Sequence, residues 1–305
     1  MDHTGTPAMA AEKTGGSGSR LVHTHYEGGR PSVRRYLWPH TLVRTLWAHR
    51  RLLHQLSKSR FSAGHREDVL GMAWLVLEPL MLLAVFSVVF IVIFKARWPG
   101  AEDKPIMRVL CLYAGIVTYQ MFAQTASASA NMIRSARGYV KLMVFPTEML
   151  PASVVGGILL PSGIGFALLL ITATLGGVTP TLTVLWLPVV LIPMWLLLLG
   201  LGWFLSALCV FVPDVRTLTA LVVRFMFFLT PIVYPLEGDR VSGTMRLLLR
   251  LNPLTTIVVN VRRVLIFGQA PEWGYLAVVT LGAALVCQLG FVFFMRSKRW
   301  FADVV

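Results

Sequence analysis

The chain has 305 residues, 56% of them hydrophobic and only 14% charged, with a mean hydropathy of +0.69. That balance excludes a water-facing globule, which must cover itself with charge, and implies a chain solvated by lipid with its ionisable groups in loops. The net charge of +14 is weighted toward residues 1–70, as expected of a cytosolic leader under the positive-inside bias, and nucleic acid is excluded as a partner on that ground.

Residues 1–35, with the Thr14 to Ser19 run of Gly and Ser, hold too little apolar surface to offset the entropy of ordering, and a disordered cytosolic tail is expected there. The first apolar run begins only near Val69, so no cleavable signal peptide is expected. From Trp38 to Lys58, Leu42, Val43, Leu46, Trp47, Leu53 and Leu56 recur at helical spacing opposite Arg44, Arg51 and Lys58. That pattern predicts a basic amphipathic helix in the headgroup layer, with Pro39 in its first turn.

Six spans are predicted, each near the roughly 20 residues that cross the hydrocarbon. They run from about Val69 to Phe94, Met107 to Ala128, Leu150 to Leu175, Leu182 to Val212, Leu218 to Tyr234 and Trp273 to Met295. The first contains an acid, Glu78, and the fifth a base, Arg224, each about two turns in. An intramembrane charge is costly. For Glu78 the alternatives are a gating or coupling role and simple pairing with a basic loop residue. For Arg224 they are snorkelling to the interface, which is favoured, and pairing with Glu78.

Between spans five and six, Met245 to Leu251 and Leu254 to Phe267 are too short or too charged to cross alone, and short external re-entrant helices are expected. Arg296, Lys298 and Arg299 close span six. The predicted fold is therefore an all-α integral membrane protein: a tail over 1–35, then one transmembrane domain over 36–305. An even number of spans puts both termini on one side, and the basic leader makes that side cytosolic.

No catalytic constellation is present. The seven histidines all precede the first span, no carboxylates pair within the spans, and Cys111, Cys209 and Cys287 lack metal-ligand spacing. The sequence also has no Gly-Lys-Ser/Thr phosphate loop, so any ATP hydrolysis belongs to another chain. What remains is transport by conformational change. Phe86, Phe90 and Phe94 recur every four residues on span one, Tyr113, Tyr119 and Phe122 lie on span two, and Phe225, Phe227 and Phe228 on span five. Two readings fit them: a sliding surface for the apolar faces of sugar rings, and ordinary helix packing or lipid contact. The segment from Asn131 to Pro146, with Arg134, Arg137, Tyr139 and Lys141, reads equally as an ATPase-coupling loop, grouped here with Glu78, and as an ordinary positive-inside loop.

Six motifs in order resemble the permeases of type-2 ABC exporters, in particular the Wzm-like and TagG-like polysaccharide exporters. They are Arg60-Phe61 with Leu70-Gly71 through Trp74 to Glu78-Pro79-Leu80; Tyr113-Ala114-Gly115 with Tyr119 to Phe122; Asn131 to Pro151; Phe211 to Arg216; Thr230 to Tyr234 with Leu251 to Leu254; and Phe301 to Val304. Tyr119 replaces the family's usual Trp, and Pro213 its usual Arg.

The resemblance implies that the leader helix and the loop around Arg134 to Lys141 dock a cytosolic ATPase. It implies that the segment with Pro231, Tyr234, Asn252 and Pro253 forms an external gate, and that two permeases and two ATPases make the working unit. The implied cargo is a polyprenyl-diphosphate-linked glycan of O-antigen, teichoic acid or cell-wall galactan type, crossing the cytoplasmic membrane. ATP and Mg would be bound by the ATPase and no cofactor by this chain. The excess of Arg over Lys suggests a GC-rich source and places galactan slightly ahead. A permease for small drugs or lipids, and a non-transporting scaffold, are the competing readings.

Overall fold

The computed structural model describes residues 38–63, 70–89, 105–136, 146–236 and 242–301. Among them are ten α-helices and no strand. The leader forms α1 (Pro39–Ala48), entered through Pro39 in its first turn, and α2 (Arg50–Ala63), the two separated at His49. The predicted single amphipathic helix is thus two. Trp38, Val43 and Trp47 are exposed, and the Arg50 guanidinium lies 5.2 Å from the Trp47 ring centroid.

The apolar runs become α3 (Trp74–Ser87), α4 (Pro105–Ser135), α5 (Met149–Leu175), α6 (Leu187–Phe211, preceded by a 3-10 turn over Leu182–Trp186), α7 (Val215–Leu229) and α10 (Trp273–Ser297). Four of them are long and apolar enough to cross a bilayer: Ile106–Ile133, Met149–Leu175, Leu182–Phe211 and Trp273–Trp300. The other two predicted spans are shorter among the described residues. Helix α7 stops at Leu229, because Pro231 follows and Thr230 turns to extended backbone, which cuts the predicted Leu218 to Tyr234 span to about 22 Å of helix. Between α7 and α10 lie α8 (Gly243–Leu251) and α9 (Pro253–Leu265), the two short pieces expected there. Asn252 caps α9, its side-chain oxygen accepting from the Leu254 N–H at 3.0 Å.

Helix α4 is the hub, with Val109 to Tyr119 almost wholly buried. Around it pack α3, α5, α6, α7 and α9, while α10 lies along α6 and α2 along α5. The α6–α10 pair is the most extensive contact and depends on two glycines. A Cβ on Gly290 would sit 2.1 Å from the Gly200 carbonyl oxygen, so the backbones themselves touch. On the outer side of α10, Val278, Leu281, Leu285 and Leu289 are exposed, the composition of a lipid-facing surface.

The ends of the bundle differ. At one end α2 packs on the start of α5, and Lys298 after α10 reaches Glu148 just before it; at the other, α9 closes over α4 and the turn after α7. Residues 1–37, on which the expected disordered tail falls, lie outside the described residues.

Candidate functional site

Polar groups gather at three levels of the bundle. At the α9 end, Arg262 is buried, and its guanidinium is spent on backbone carbonyls. Nε donates to Cys111 O at 2.8 Å, one terminal nitrogen to Pro231 O at 2.7 Å and the other to Ile232 O at 2.8 Å. One side chain thereby joins α9, the second turn of α4 and the segment after α7. The fork has room because position 115 is glycine: a Cβ there would lie 2.6 Å from an Arg262 nitrogen.

Around this clamp, Asn252 Nδ2 donates to the Thr230 hydroxyl at 3.0 Å, Thr183 donates to Val264 O at 2.8 Å and the Asn260 side chain accepts from the Glu272 N–H at 2.6 Å. The Glu272 carboxylate lies between Arg250 and Arg263 at 3.7 and 3.5 Å, and Arg250 lies over the Tyr275 ring. Pro231 is buried, and the half-buried Tyr234 donates to Phe228 O at 3.2 Å. Partial burial raises the Tyr234 phenol above its ordinary value, so it stays protonated and keeps that donation at neutral pH. Of four residues singled out from the sequence, Pro231 and Asn252 are bonded into this network, whereas Tyr234 bonds locally to Phe228 and Pro253 opens α9. The network's centre, Arg262, was not among them. In the sequence it looked like a charge interrupting an apolar run.

At the opposite end, Arg60 of α2 donates to Ser153 of α5 at 2.9 Å and also contacts the Met132 thioether; burial holds its guanidinium below the ordinary arginine value. Gly156 admits Ser57, whose hydroxyl would lie 2.2 Å from an added Cβ. Glu148, just before α5, is buried and receives Lys298 Nζ from the end of α10 at 2.6 Å, while its carbonyl accepts from Trp203 Nε1 at 3.0 Å. The segment that emerges at Pro146 is therefore tied to α6 and α10 from its first turn. Arg137, Tyr139 and Lys141, together with the side chain of Arg134, lie outside the described residues.

Midway, α3, α4 and α5 enclose a cavity of about 140 Å³ lined by Glu78, Tyr113, Gln120, Gln124 and Ser162. Its size and polar lining would admit water. The Tyr113 hydroxyl is buried there without a hydrogen-bond partner. Of the aromatic set, Tyr113, Tyr119 and Phe122 are buried inside the protomer, and Tyr119 meets Phe227 edge-on at 5.2 Å. Tyr119 also donates to Val223 O. Phe86 is half-buried, while Phe225 and Phe228 stand out from α7 at 69% and 73% exposure, free to face lipid or another chain. Phe90 and Phe94 lie outside the described residues.

Among the described residues no group of His, Cys, Asp or Glu is arranged to hold a metal. The arrangement offers clamps at two ends and a polar face between, which suits a molecule that changes shape. Residues 51–267 match the family described as ABC-2 type transporter. The chain is similar to the O-antigen export system permease protein RfbA of Myxococcus xanthus, 26% identical over 76% of this chain and 86% of that protein. It is also similar to the RfbA of the same description from Klebsiella pneumoniae, 22% identical over 83% of this chain and 95% of that protein.

Proposed function

Since the chain belongs to the ABC-2 type transporter family, we propose that it is the permease of a polysaccharide exporter, moving a lipid-linked glycan across the cytoplasmic membrane. It is a multi-pass transport permease, and hydrolysis falls to a separate ATPase that binds ATP and Mg. The single observation that carries this reading is similarity to O-antigen export permeases in two bacteria, over 86% and 95% of their lengths. O-antigen-type polysaccharide is accordingly the first cargo to test, with teichoic acid and galactan behind it.

In this reading six passes, with α3 and α7 as the first and fifth, place both termini in the cytosol, and two copies assemble with two ATPases. The basic leader supports that orientation. The α2 end is then cytosolic, and the ATPase works on α2 and on the loop around Arg134 to Lys141. The linkages of that end give the push a route: Arg60 to Ser153 carries it into α5, and Glu148 to Lys298 carries it into α10. At the external end, α9 and its polar network form the gate that opens when the bundle moves.

Co-expression with a candidate ATPase subunit from the same organism tests this reading. The two subunits are expected to purify together, with hydrolysis that rises when lipid-linked glycan is added. Arg137→Glu is expected to lower that stimulated rate several-fold while the permease stays folded. Stimulation by small drugs or lipids, with none by glycan, favours the other cargo class. Failure of any ATPase to co-purify removes the proposal.

A further inference from the structure

We infer that the helix pair α6 and α10 carries a binding site for one anionic phospholipid, with an acyl chain in a groove between the helices and the headgroup held by Arg296. The site is independent of the cargo and requires only that the two helices cross the bilayer.

Helices α6 and α10 run side by side in the same direction. Trp186 meets Trp273 at 5.0 Å near their starts, Trp203 meets Phe291 at 5.1 Å further along, and Phe211 meets Phe301 at 6.1 Å beyond their ends. The stretch Trp273–Trp300 is 28 residues long, or ~42 Å at 1.5 Å per residue, which matches the roughly 40 to 45 Å of a bilayer with its headgroup layers. Trp186 and Trp273 are exposed at one end and Trp300 at the other, where indole rings favour the interface. Arg296 and Trp300 therefore mark one headgroup layer, and the tryptophan pair marks the opposite one.

Between the helices lies a groove of about 440 Å³, lined by Leu201 and Phe204 of α6 and by Val286, Leu289, Phe293 and Arg296 of α10. Gly290 lines it too, at the crossing where the backbones touch, so no Cβ stands between the flanking side chains. Phe204 and Leu289 are exposed, which leaves the groove open to its surroundings. Apart from Arg296, every side chain along it is apolar.

Two features select the occupant. The first is length. From Val286 to Arg296 the groove follows α10 over ten positions, ~15 Å of helix, which is half of a hydrocarbon core roughly 30 Å thick. It is as deep as one leaflet, the reach of one acyl chain. Val278, Leu281 and Leu285 of α10 are exposed as well, but none of them lines this groove.

The second feature is charge. Arg296 stands where the groove reaches the headgroups; it is exposed, and among the described residues its guanidinium has no hydrogen-bond or ion-pair partner. Lys298, two positions on, is by contrast committed to Glu148 at 2.6 Å. The apolar stem of an arginine lies along a greasy wall while its head reaches the interface, and the forked donors match a phosphate. In the orientation proposed above this leaflet is the cytosolic one, whose anionic lipids attract basic side chains. A lipid seated there touches both helices, and because it binds only the folded pair it stabilises that pair.

The test uses the full-length permease, purified in detergent and stripped of lipid. Dioleoyl phosphatidylglycerol, dioleoyl phosphatidylcholine, polyprenyl phosphate and glycerol phosphate are added separately, bound molecules are counted by native mass spectrometry, and stability is followed by thermal unfolding. The expected result is one phosphatidylglycerol per chain, retained about fivefold better than phosphatidylcholine, the scale of one Lys or Arg near an anionic surface, with a raised melting temperature. Glycerol phosphate, which has no acyl chain, should neither bind nor stabilise.

Arg296→Gln should fold normally and lose the preference, and Arg296→Lys should keep most of it. Leu289→Trp, which fills the groove, should lose retention of both phospholipids, whereas Leu281→Trp outside the groove should retain them as wild type does. Equal retention of the two phospholipids, a preference unchanged by Arg296→Gln, or retention unchanged by Leu289→Trp would overturn the assignment. Preference for polyprenyl phosphate over phosphatidylglycerol would also overturn it, since the groove would then hold an isoprenoid carrier.

Discussion

Arg262→Met is expected to unfold the α9 end of the protein, lowering its stability by about 3 kcal/mol or more and abolishing glycan-stimulated hydrolysis. The wild-type guanidinium satisfies three carbonyls, Cys111, Pro231 and Ile232, at 2.7 to 2.8 Å in a buried setting. Methionine fills a similar volume and offers no donor. Each buried group left without a partner costs roughly 1 to 3 kcal/mol, and bonds to a charged donor lie at the upper end of that scale. Such a loss is a large share of the roughly 5 to 15 kcal/mol by which folded proteins are stable. Arg262→Lys should rescue little, because an ammonium is a point charge and cannot fork across carbonyls on three segments. Thermal unfolding of the purified permease checks this, and a Met variant that melts with wild type would remove the clamp from the account.

Gly290→Leu is the second large effect, and it acts through backbone rather than side chain. A Cβ at position 290 meets the Gly200 carbonyl oxygen at 2.1 Å and the Gly200 Cα at 2.9 Å. One at position 200 would meet the Cys287 nitrogen at 2.6 Å. Neither helix can yield by turning a side chain, so α6 and α10 must separate and the most extensive contact in the bundle is lost. Overpacking of an adaptable core typically costs 1 to 3 kcal/mol, and a contact between two backbones is expected to exceed that range, at about 4 kcal/mol. Gly282→Leu on the same helix supplies the contrast, since a Cβ there meets nothing within 4 Å. The yield of monodisperse protein should collapse for Gly290→Leu and hold for Gly282→Leu; equal yields would mean that the glycine crossing does not hold the helices together.

The helices were largely legible in the sequence because hydrocarbon imposes one requirement, an apolar run with its backbone internally bonded. Spans three, four and six ended within a few residues of expectation, and the short pieces after span five appeared as α8 and α9. Helix α4 outran its apolar core by about two turns at the Ser135 end, where hydropathy falls but Met132 and Ile133 still pack inside. Helix α7 fell short because a proline outweighs the apolar residues beyond it.

The site was less legible. Hydropathy counts every arginine as a group seeking water, so Arg262 looked like a break in an apolar segment, although carbonyls stand in for water around it. Nothing in the sequence singles out Glu148 as a partner for Lys298, and only the fold brings the two together across 150 positions. The aromatic residues show the same limit from the other side. Helical spacing puts Tyr119 and Phe122 on neighbouring positions of α4, but whether that stripe meets a channel, lipid or α7 depends on packing, and the fold turns Tyr119 onto Phe227. Spacing defines a face; the neighbour that covers it is set by the rest of the chain.

The most direct measurement is glycan translocation in proteoliposomes holding the permease, its ATPase and a defined lipid-linked O-antigen-type polysaccharide. Glycan should become accessible on the opposite leaflet only with the permease, the ATPase and hydrolysable ATP all present. Translocation that proceeds without the ATPase, or fails for every lipid-linked glycan while both subunits are folded and hydrolysing ATP, would contradict it.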